Sequence, residues 1–219
     1  MEFLSYDVAH MLAGGMVLVS FMLLYQDRMY GLLKVFALHA FVLSLSVAWE
    51  ALVQDAPHLY ITAAIALIVK AIIIPLALRR IVIRLNIHRT VETVAGIGPT
   101  MLAGIGLVAL SMALMLQVTP GADALSRQDL AFALAVILLG LLMMVSRRNA
   151  VGQVIGLMSI ENGLILAAAG ANGMPLVVEI SVAFSVLVAF MVIGIFLFRI
   201  RERFDTVDVQ ALDNFRGDR

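Results

Sequence analysis

The sequence contains no cysteine, which excludes disulfides, iron–sulfur clusters and thiolate-ligated metal sites. The histidines lie on separate segments without the spacing of metal ligands, and they are His10, His39, His58 and His88. We therefore expect no metal site and no cofactor bound by this chain alone. No nucleophile with an adjacent base and no paired acid–base motif is recognisable, so we also expect no catalytic site.

Charge is scarce as well. Only 14% of the 219 residues are charged and 63% are hydrophobic, with a mean hydropathy of +1.04. A soluble domain is about half apolar and about a quarter charged, so this composition predicts an integral membrane protein surrounded by lipid, with no nucleic-acid partner. Lys and Arg are missing ahead of the first apolar run, MEFLSYDVAH. A cleavable signal peptide begins with positive charge, so we expect a retained first helix.

Apolar runs long enough to span a bilayer recur seven times. The predicted spans are 8–25, 32–53, 59–85, 91–116, 130–146, 151–171 and 175–198. The third run is interrupted by Pro75 and by Arg79 and Arg80, and its extension RRIVIRLNIHR is an amphipathic candidate for the membrane surface. Barrel-strand alternation is absent, so we predict an all-α membrane bundle.

The basic residues define the predicted orientation. With the N-terminus outside and the C-terminus inside, thirteen of the fifteen Lys and Arg side chains fall on the cytoplasmic side, including Arg147 and Arg148 in the turn after the fifth span. This predicts a multi-pass protein of the cytoplasmic (inner) membrane. The tail 201–219 is polar with scattered apolar residues, and it is either disordered or ordered by a partner.

A carboxylate interrupts the sixth span, in the stretch GLMSIENGLILAAAG (residues 156–170), where Glu161 precedes Asn162. A charge at the bilayer centre costs about 2.5–3.5 kcal/mol, so such groups face a protein interior, a partner charge or trapped water. Desolvation disfavours the charged form, which makes Glu161 a candidate proton carrier. The alternative is a neutral, hydrogen-bonded acid that holds helices together, with Asn162 as its partner.

Other ionisable groups also lie within the apolar runs. Lys70 precedes Pro75 by five residues, beside a predicted helix break; it is either part of an ion path or paired with a carboxylate of a neighbouring helix. His39 and Glu50 are eleven residues apart and share one helix face. For these two and for Glu179 in the last span, a structural role is as plausible as a proton relay.

The fourth span contains GIGPTMLAGIG, residues 96–106. It lacks the strand–turn–helix context of a phosphate loop. We interpret Gly98 and Gly104 as positions of close helix packing and Pro99, like Pro75, as a kink.

The second half resembles the K subunit of respiratory complex I and the C subunit of Mrp-type cation/proton antiporters. The resemblance lies in LLGLLMMVSRRNAVGQVIGLMSIENGLILAAAG, in the following ISVAFSVLVAFMVIGIFLF and in the tail ending TVDVQALDNFRG. Where the complex I pattern has its buried glutamate this chain has Met158, with Glu161 three residues later. The whole chain resembles hydrogenase-4 component E, a subunit of group 4 hydrogenase and formate hydrogenlyase-type complexes, and Glu161 and Glu179 fall on the two acidic positions of that family.

The resemblance implies an organisation and a function. Residues 1–126 would form a four-helix extension, 127–200 a K-subunit-like three-helix unit and 201–219 a cytoplasmic tail. The chain would be a non-catalytic membrane subunit of a complex I-related oxidoreductase that contributes to proton translocation. Its partners would be antiporter-like and quinone-site-like membrane subunits and cytoplasmic hydrogenase-like and iron–sulfur subunits. The alternatives are a stand-alone cation/proton transporter and a structural scaffold.

Overall fold

The computed structural model describes residues 2–84, 96–118 and 124–170. Every element in these ranges is helical. The elements are α1 (Glu2–Tyr25), α2 (Met29–Val53), α3 (Pro57–Ile65), a π-helical segment (Ala66–Ile73), α4 (Ile74–Arg84), α5 (Ile97–Val118), α6 (Ala124–Ser146) and α7 (Ala150–Gly170). The predicted all-α membrane fold is thus confirmed for the described part of the chain.

Six of the predicted spans have a counterpart among the described residues. They are Asp7–Tyr25, Met29–Val53, Pro57–Arg80, Ile97–Val118, Arg127–Ser146 and Ala150–Gly170. The third combines α3, the π-helical segment and the start of α4 in one continuous helix. The seventh predicted span, 175–198, and the tail lie outside the described residues.

The bundle is built around α2, α6 and α7. Helix α6 packs along α7 and also contacts α1 and α5, while α2 contacts α1, α7 and the whole third span. In the spanning window of α7, 61% of the residues are buried, against 11% in α5. Helix α5 is therefore peripheral among the described helices, and most of its large apolar side chains are not covered by them.

Glycines bring the backbones of α6 and α7 into contact. A Cβ added at Gly156 would lie 2.7 Å from the amide nitrogen of Met144, and one added at Gly140 would lie 2.7 Å from that of Ile160. About two turns after Gly156, a Cβ added at Gly163 would lie 3.0 Å from the amide nitrogen of Ile137 in α6. Because a methyl group does not fit in this seam, the glycines set the distance between the two helices.

The basic turn between α6 and α7 is anchored to α1. The Nη2 of Arg147 donates to the carbonyl oxygens of Leu23 and Leu24, at 3.0 and 2.8 Å. These carbonyls belong to the last turn of α1, where no intrahelical donor remains for them. Burial lowers the pKa of Arg147, and the carboxylate of Asp27 opposes that shift. Arg147 therefore fixes the helix end structurally, whereas Arg148 is exposed.

The start of α7 is capped by its own sequence. The side-chain oxygen of Asn149 accepts a hydrogen bond from the backbone N–H of Gly152 at 2.6 Å. This is the N-cap arrangement, in which the capping side chain bonds the amide three residues on. The cap fixes where α7 begins and hence the depth of the residues it carries.

The fourth span begins later than the sequence interpretation placed it. Helix α5 starts at Ile97, after Gly96 with φ of 77°, so Pro99 lies in its first turn. There the missing N–H of proline leaves no intrahelical bond broken, so the position of Pro99 gives no reason for a kink. Of the two glycines interpreted as packing positions, Gly104 has Phe21 of α1 within 2.9 Å of an added Cβ, while a Cβ at Gly98 meets no atom of the described residues within 4 Å.

Candidate functional site: a buried polar cluster between four helices

The centre of the bundle contains an ion pair. The Nζ of Lys70 lies 3.0 Å from Oε1 of Glu161, and the two side chains are 1% and 2% exposed. Lys70 comes from the π-helical segment and Glu161 from α7. A buried pair of this kind persists only where attraction and further hydrogen bonds compensate for desolvation.

The ion pair lies at mid-depth in both spans. Glu161 is the twelfth of the 21 residues of α7, and Lys70 is the fourteenth of the 24 residues of Pro57–Arg80. At 1.5 Å per residue, Glu161 is about 16 Å from the start of its helix. The pair is therefore about half a bilayer thickness from either surface.

Three more buried polar side chains extend the cluster. Lys70 donates from Nζ to Oδ1 of Asn162 at 2.8 Å, and Nδ2 of Asn162 lies 2.9 Å from Nδ1 of His39. The other ring nitrogen of His39 lies 3.0 Å from Oγ of Ser20. None of the five side chains is more than 2% exposed. The cluster thus joins α1, α2, the third span and α7.

The hydrogen bonds run in one direction. An ammonium group only donates, so Oδ1 of Asn162 accepts and its Nδ2 is left to donate to Nδ1 of His39. His39 then carries its proton on Nε2 and donates to Ser20, whose hydroxyl donates to the carbonyl oxygen of Met16 at 2.9 Å. This assignment of the tautomer follows from the network. Each donor atom from Lys70 to Ser20 thus has at least one acceptor.

Lys70 lies on a widened stretch of helix. The π-helical segment Ala66–Ile73 ends just before Pro75, which has no N–H to donate to the preceding turn. Wide turns of this kind are rare and occur frequently at functional sites. The sequence interpretation expected a break at Pro75; in the structure the helix continues, with the change in winding on the N-terminal side of the proline.

The cluster separates into two chemical parts. Lys70 and Glu161 can exchange a proton directly, because an amine and a carboxyl group at 3.0 Å interconvert between ion pair and neutral pair. Passing that proton on through Asn162 would require much more free energy, since a carboxamide is a far weaker base than an amine and a far weaker acid than a carboxyl group. Asn162 binds Lys70 directly, and His39 and Ser20 continue the hydrogen-bond chain behind it.

The remaining predicted candidates lie elsewhere. Glu50 accepts a hydrogen bond from Nε2 of Gln54 at 2.8 Å, and the same nitrogen donates to the carbonyl oxygen of Ala169 at 2.7 Å. Glu50 is half-buried, and eleven residues, or about 16 Å of helix, separate it from His39. Glu179 lies outside the described residues. The structure thus brings together Glu161, Lys70 and His39 but not Glu50.

Sequence reasoning missed two residues of these networks. Nothing in the sequence distinguishes Ser20, because serine is common in membrane helices and its hydroxyl is easily hydrogen-bonded there. The contact of Gln54 was predictable, because Gln54 follows Glu50 by four residues, the spacing at which side chains on a helix face meet. At the same end of the bundle as Gln54, His10 Nδ1 lies 2.9 Å from Asp129 Oδ1, with both side chains about 30% exposed.

Fold and site together define a polytopic helical membrane protein with an ionisable pair buried in the middle of its spans. Neither a protein-family model nor a solved structure matches the chain. It is 34% identical over 167 residues to hydrogenase-4 component E of Escherichia coli strain K12, covering 74% of this chain and 76% of that protein. Hydrogenase-4 component E of Shigella flexneri matches to the same extent.

The chain belongs to the hydrogenase-4 component E family. It is also 26% identical over 207 residues to a protein of Mycobacterium tuberculosis strain H37Rv that is described only as uncharacterised. That similarity covers 93% of this chain and 94% of the mycobacterial protein, so the two share their length as well as their sequence pattern.

Proposed function

We propose that this chain is a non-catalytic membrane subunit of a complex I-related, energy-converting oxidoreductase of the group 4 hydrogenase or formate hydrogenlyase-like type. Its identity to hydrogenase-4 component E supports this assignment. Electron transfer would occur in partner subunits that bind the metal clusters. We place the chain in the cytoplasmic membrane, N-terminus outside, among other membrane subunits of such a complex.

Within that assembly the chain contributes to proton translocation coupled to electron transfer. The observation that supports this role is the Lys70–Glu161 pair, at 3.0 Å and mid-depth in the bundle. Ionisable groups inside a membrane are costly and typically mark ion pathways or proton relays. Lys70 and Glu161 are the proton-exchanging groups, and Asn162, His39 and Ser20 are positioning residues.

The pair is suited to gated exchange because its net charge is zero with the proton on either partner. A proton leaves or enters only when a change of charge nearby makes the net-negative or net-positive state of the pair accessible. In a coupled complex that change would come from electron transfer in a neighbouring subunit. Glu179 and Glu50 remain candidates for the connection to the external face.

A scaffold role is the second candidate, and the closed hydrogen-bond chain from Lys70 to Ser20 favours it. Four helices joined by five buried polar side chains would hold a membrane arm together without moving protons. The two roles differ in what happens when a carboxylate is replaced by an amide of the same shape.

The experiment is Glu161→Gln in the assembled complex, with turnover and acidification measured in inverted membrane vesicles. The amide still accepts a hydrogen bond from Lys70 but carries no exchangeable proton. We expect a lower yield of the variant, because Lys70 loses its counter-charge, but normal dye-linked turnover in the complex that assembles, with acidification per turnover lowered at least about ten-fold. Asp7→Asn, which removes an exposed carboxylate near the start of α1, is the control and leaves both rates unchanged.

Unchanged acidification in assembled Glu161→Gln would reject the proton role and leave the scaffold. Lys70→Arg provides a second test, because it keeps the positive charge while removing the ability to release a proton near neutral pH. Coupled acidification is lost in that variant if Lys70 exchanges protons, and is kept if only its charge is needed.

A further inference from the structure

A groove beside the polar cluster opens at the basic end of the bundle. It has a volume of about 460 Å³ and lies between the first part of α2 and the second half of the third span. Tyr30, Lys34 and Ala37 line one wall, and Ala71 and Leu76 lie on the other. Of the described lining residues, those at the inner end, Ala37 and Ala71, are apolar.

The mouth of the groove is basic on both walls. Lys34 of α2 and Arg79 of α4 both line it, and both are exposed. Arg147, whose turn is bonded to the end of α1, belongs to the same end of the bundle. Two cations beside an apolar channel complement a ligand with a negative head and a hydrocarbon tail.

The depth of the groove fits part of an acyl chain. From Tyr30 to Ala37 the helix rises about 10 Å, and from Ala71 to Arg79 about 12 Å. Ile72 and Leu76, on the outer rim, are 49% and 52% exposed. The groove therefore opens sideways toward the lipid phase as well as toward the basic end.

We infer that this groove binds one anionic phospholipid, with its phosphate between Lys34 and Arg79 and an acyl chain against Ala37 and Ala71. Basic pockets between membrane helices recognise anionic head groups in this way. Tyr30 also lines the groove, and its hydroxyl would donate a further hydrogen bond to the phosphate. The inference concerns lipid binding and holds whether or not the Lys70–Glu161 pair moves protons.

The test is native mass spectrometry of the complex in mild detergent, titrated with phosphatidylglycerol and separately with phosphatidylcholine. We expect one tightly held phosphatidylglycerol in the unaltered complex. In the double variant Lys34→Gln/Arg79→Gln its affinity falls about 30-fold, as expected for two lost contacts with a charged head group. Phosphatidylcholine, whose choline cation offsets the charge of its phosphate, binds weakly in both.

The matched control removes two charges from the same end without touching the groove. Arg80→Gln/Arg148→Gln does this, because both arginines are exposed and neither lines the cavity. The affinity of this control for phosphatidylglycerol falls much less than that of Lys34→Gln/Arg79→Gln. Leu76→Trp, which narrows the groove at unchanged charge, displaces the lipid, whereas Ile68→Trp, on an exposed position of the same span outside the groove, does not.

Three results would overturn the inference. Equal losses in the two double variants would mean general surface attraction without a site. A quinone that co-purifies equally with the unaltered complex and with Lys34→Gln/Arg79→Gln would show that the occupant of the groove is neutral. A photocrosslinker at Ile72 that yields a protein adduct in place of a lipid adduct would assign the groove to a partner subunit. All variants leave Lys70 and Glu161 unchanged, so a lipid result does not bear on acidification.

Discussion

Lys70 and Glu161 form an ion pair of 3.0 Å in which neither side chain is more than 2% exposed. The two residues come from helices that are far apart in the sequence, so the pair exists only because α7 and the third span both pack against α2. Each partner would be strongly destabilising alone, and the two together compensate for much of their desolvation.

The pair therefore predicts strong energetic coupling. Lys70→Met removes the ammonium group from the buried Glu161 carboxylate and should lower the free energy of unfolding by about 3–5 kcal/mol. Lys70→Met combined with Glu161→Leu should cost much less than the sum of the two single changes, because no charge is then left buried. Reversible unfolding in mixed micelles measures all four proteins, and purely additive losses would contradict the coupling.

The same argument gives a pH dependence for Lys70→Met. A carboxylate without its cation stays buried only with a proton bound, and supplying that proton requires more free energy as the pH rises. The destabilisation should therefore grow from pH 5 to pH 8. Unfolding of the unaltered protein over the same range is the comparison, and a loss that does not vary with pH would mean that Glu161 finds another compensating charge.

The direction of the hydrogen-bond chain predicts the tautomer of His39. Because Nδ1 accepts from Asn162 and Nε2 faces Ser20, the proton is expected on Nε2. Nitrogen-15 chemical shifts of selectively labelled histidine, assigned with a His39→Gln variant, distinguish the two tautomers. His58, which is exposed at the start of α3, is the internal reference. A proton on Nδ1 would mean that the Asn162 amide is reversed and that Lys70 is held differently.

How far the sequence predicts this site can be judged residue by residue. Burial of Lys70, His39 and Glu161 followed from their places in apolar runs, since a charge in lipid needs an internal position. Their mutual contact did not follow, because hydropathy contains no information on which helices are neighbours. Asn162 was named only as a partner for Glu161; in the structure it bridges Lys70 and His39.

Backbone details were predicted least well. The π-helical segment has the same apolar composition as an α-helix, and only Pro75 hinted at a change in winding. Pro99 was placed within a span because the apolar run begins at residue 91, while the helix itself begins at Ile97. The charge distribution and the resemblance to the K subunit both assign Arg147 to a cytoplasmic turn. Its bonds to Leu23 and Leu24 depend on the end of another helix.

The glycine seam between α6 and α7 predicts a position-specific packing defect. Gly156→Ala places a methyl group 2.7 Å from a backbone nitrogen of α6, so the helices must separate, at about 1–3 kcal/mol of stability. Gly106→Ala in α5 places its methyl group more than 4 Å from every described residue outside its own helix backbone and should gain up to about 1 kcal/mol from helix propensity. Thermal midpoints in one detergent compare them, and equal effects would argue against close packing at Gly156.

Arg147 and Arg148 provide the final prediction, because adjacent arginines have opposite environments. Arg147 is 1% exposed and bonds two carbonyls at the end of α1, whereas Arg148 is exposed. Arg147→Met removes both charge-assisted bonds and leaves the carbonyls without a donor, so we expect a loss of about 2–4 kcal/mol. Arg147→Lys should recover only part of this, since an ammonium lacks the planar fork of a guanidinium. Arg148→Met should change stability by less than about 0.5 kcal/mol.

Thermal unfolding in detergent, with proteolysis of the α1–α2 connection as a local probe, separates the three variants. If Arg147→Met and Arg148→Met behaved alike, the anchoring of α1 by the α6–α7 turn would be wrong.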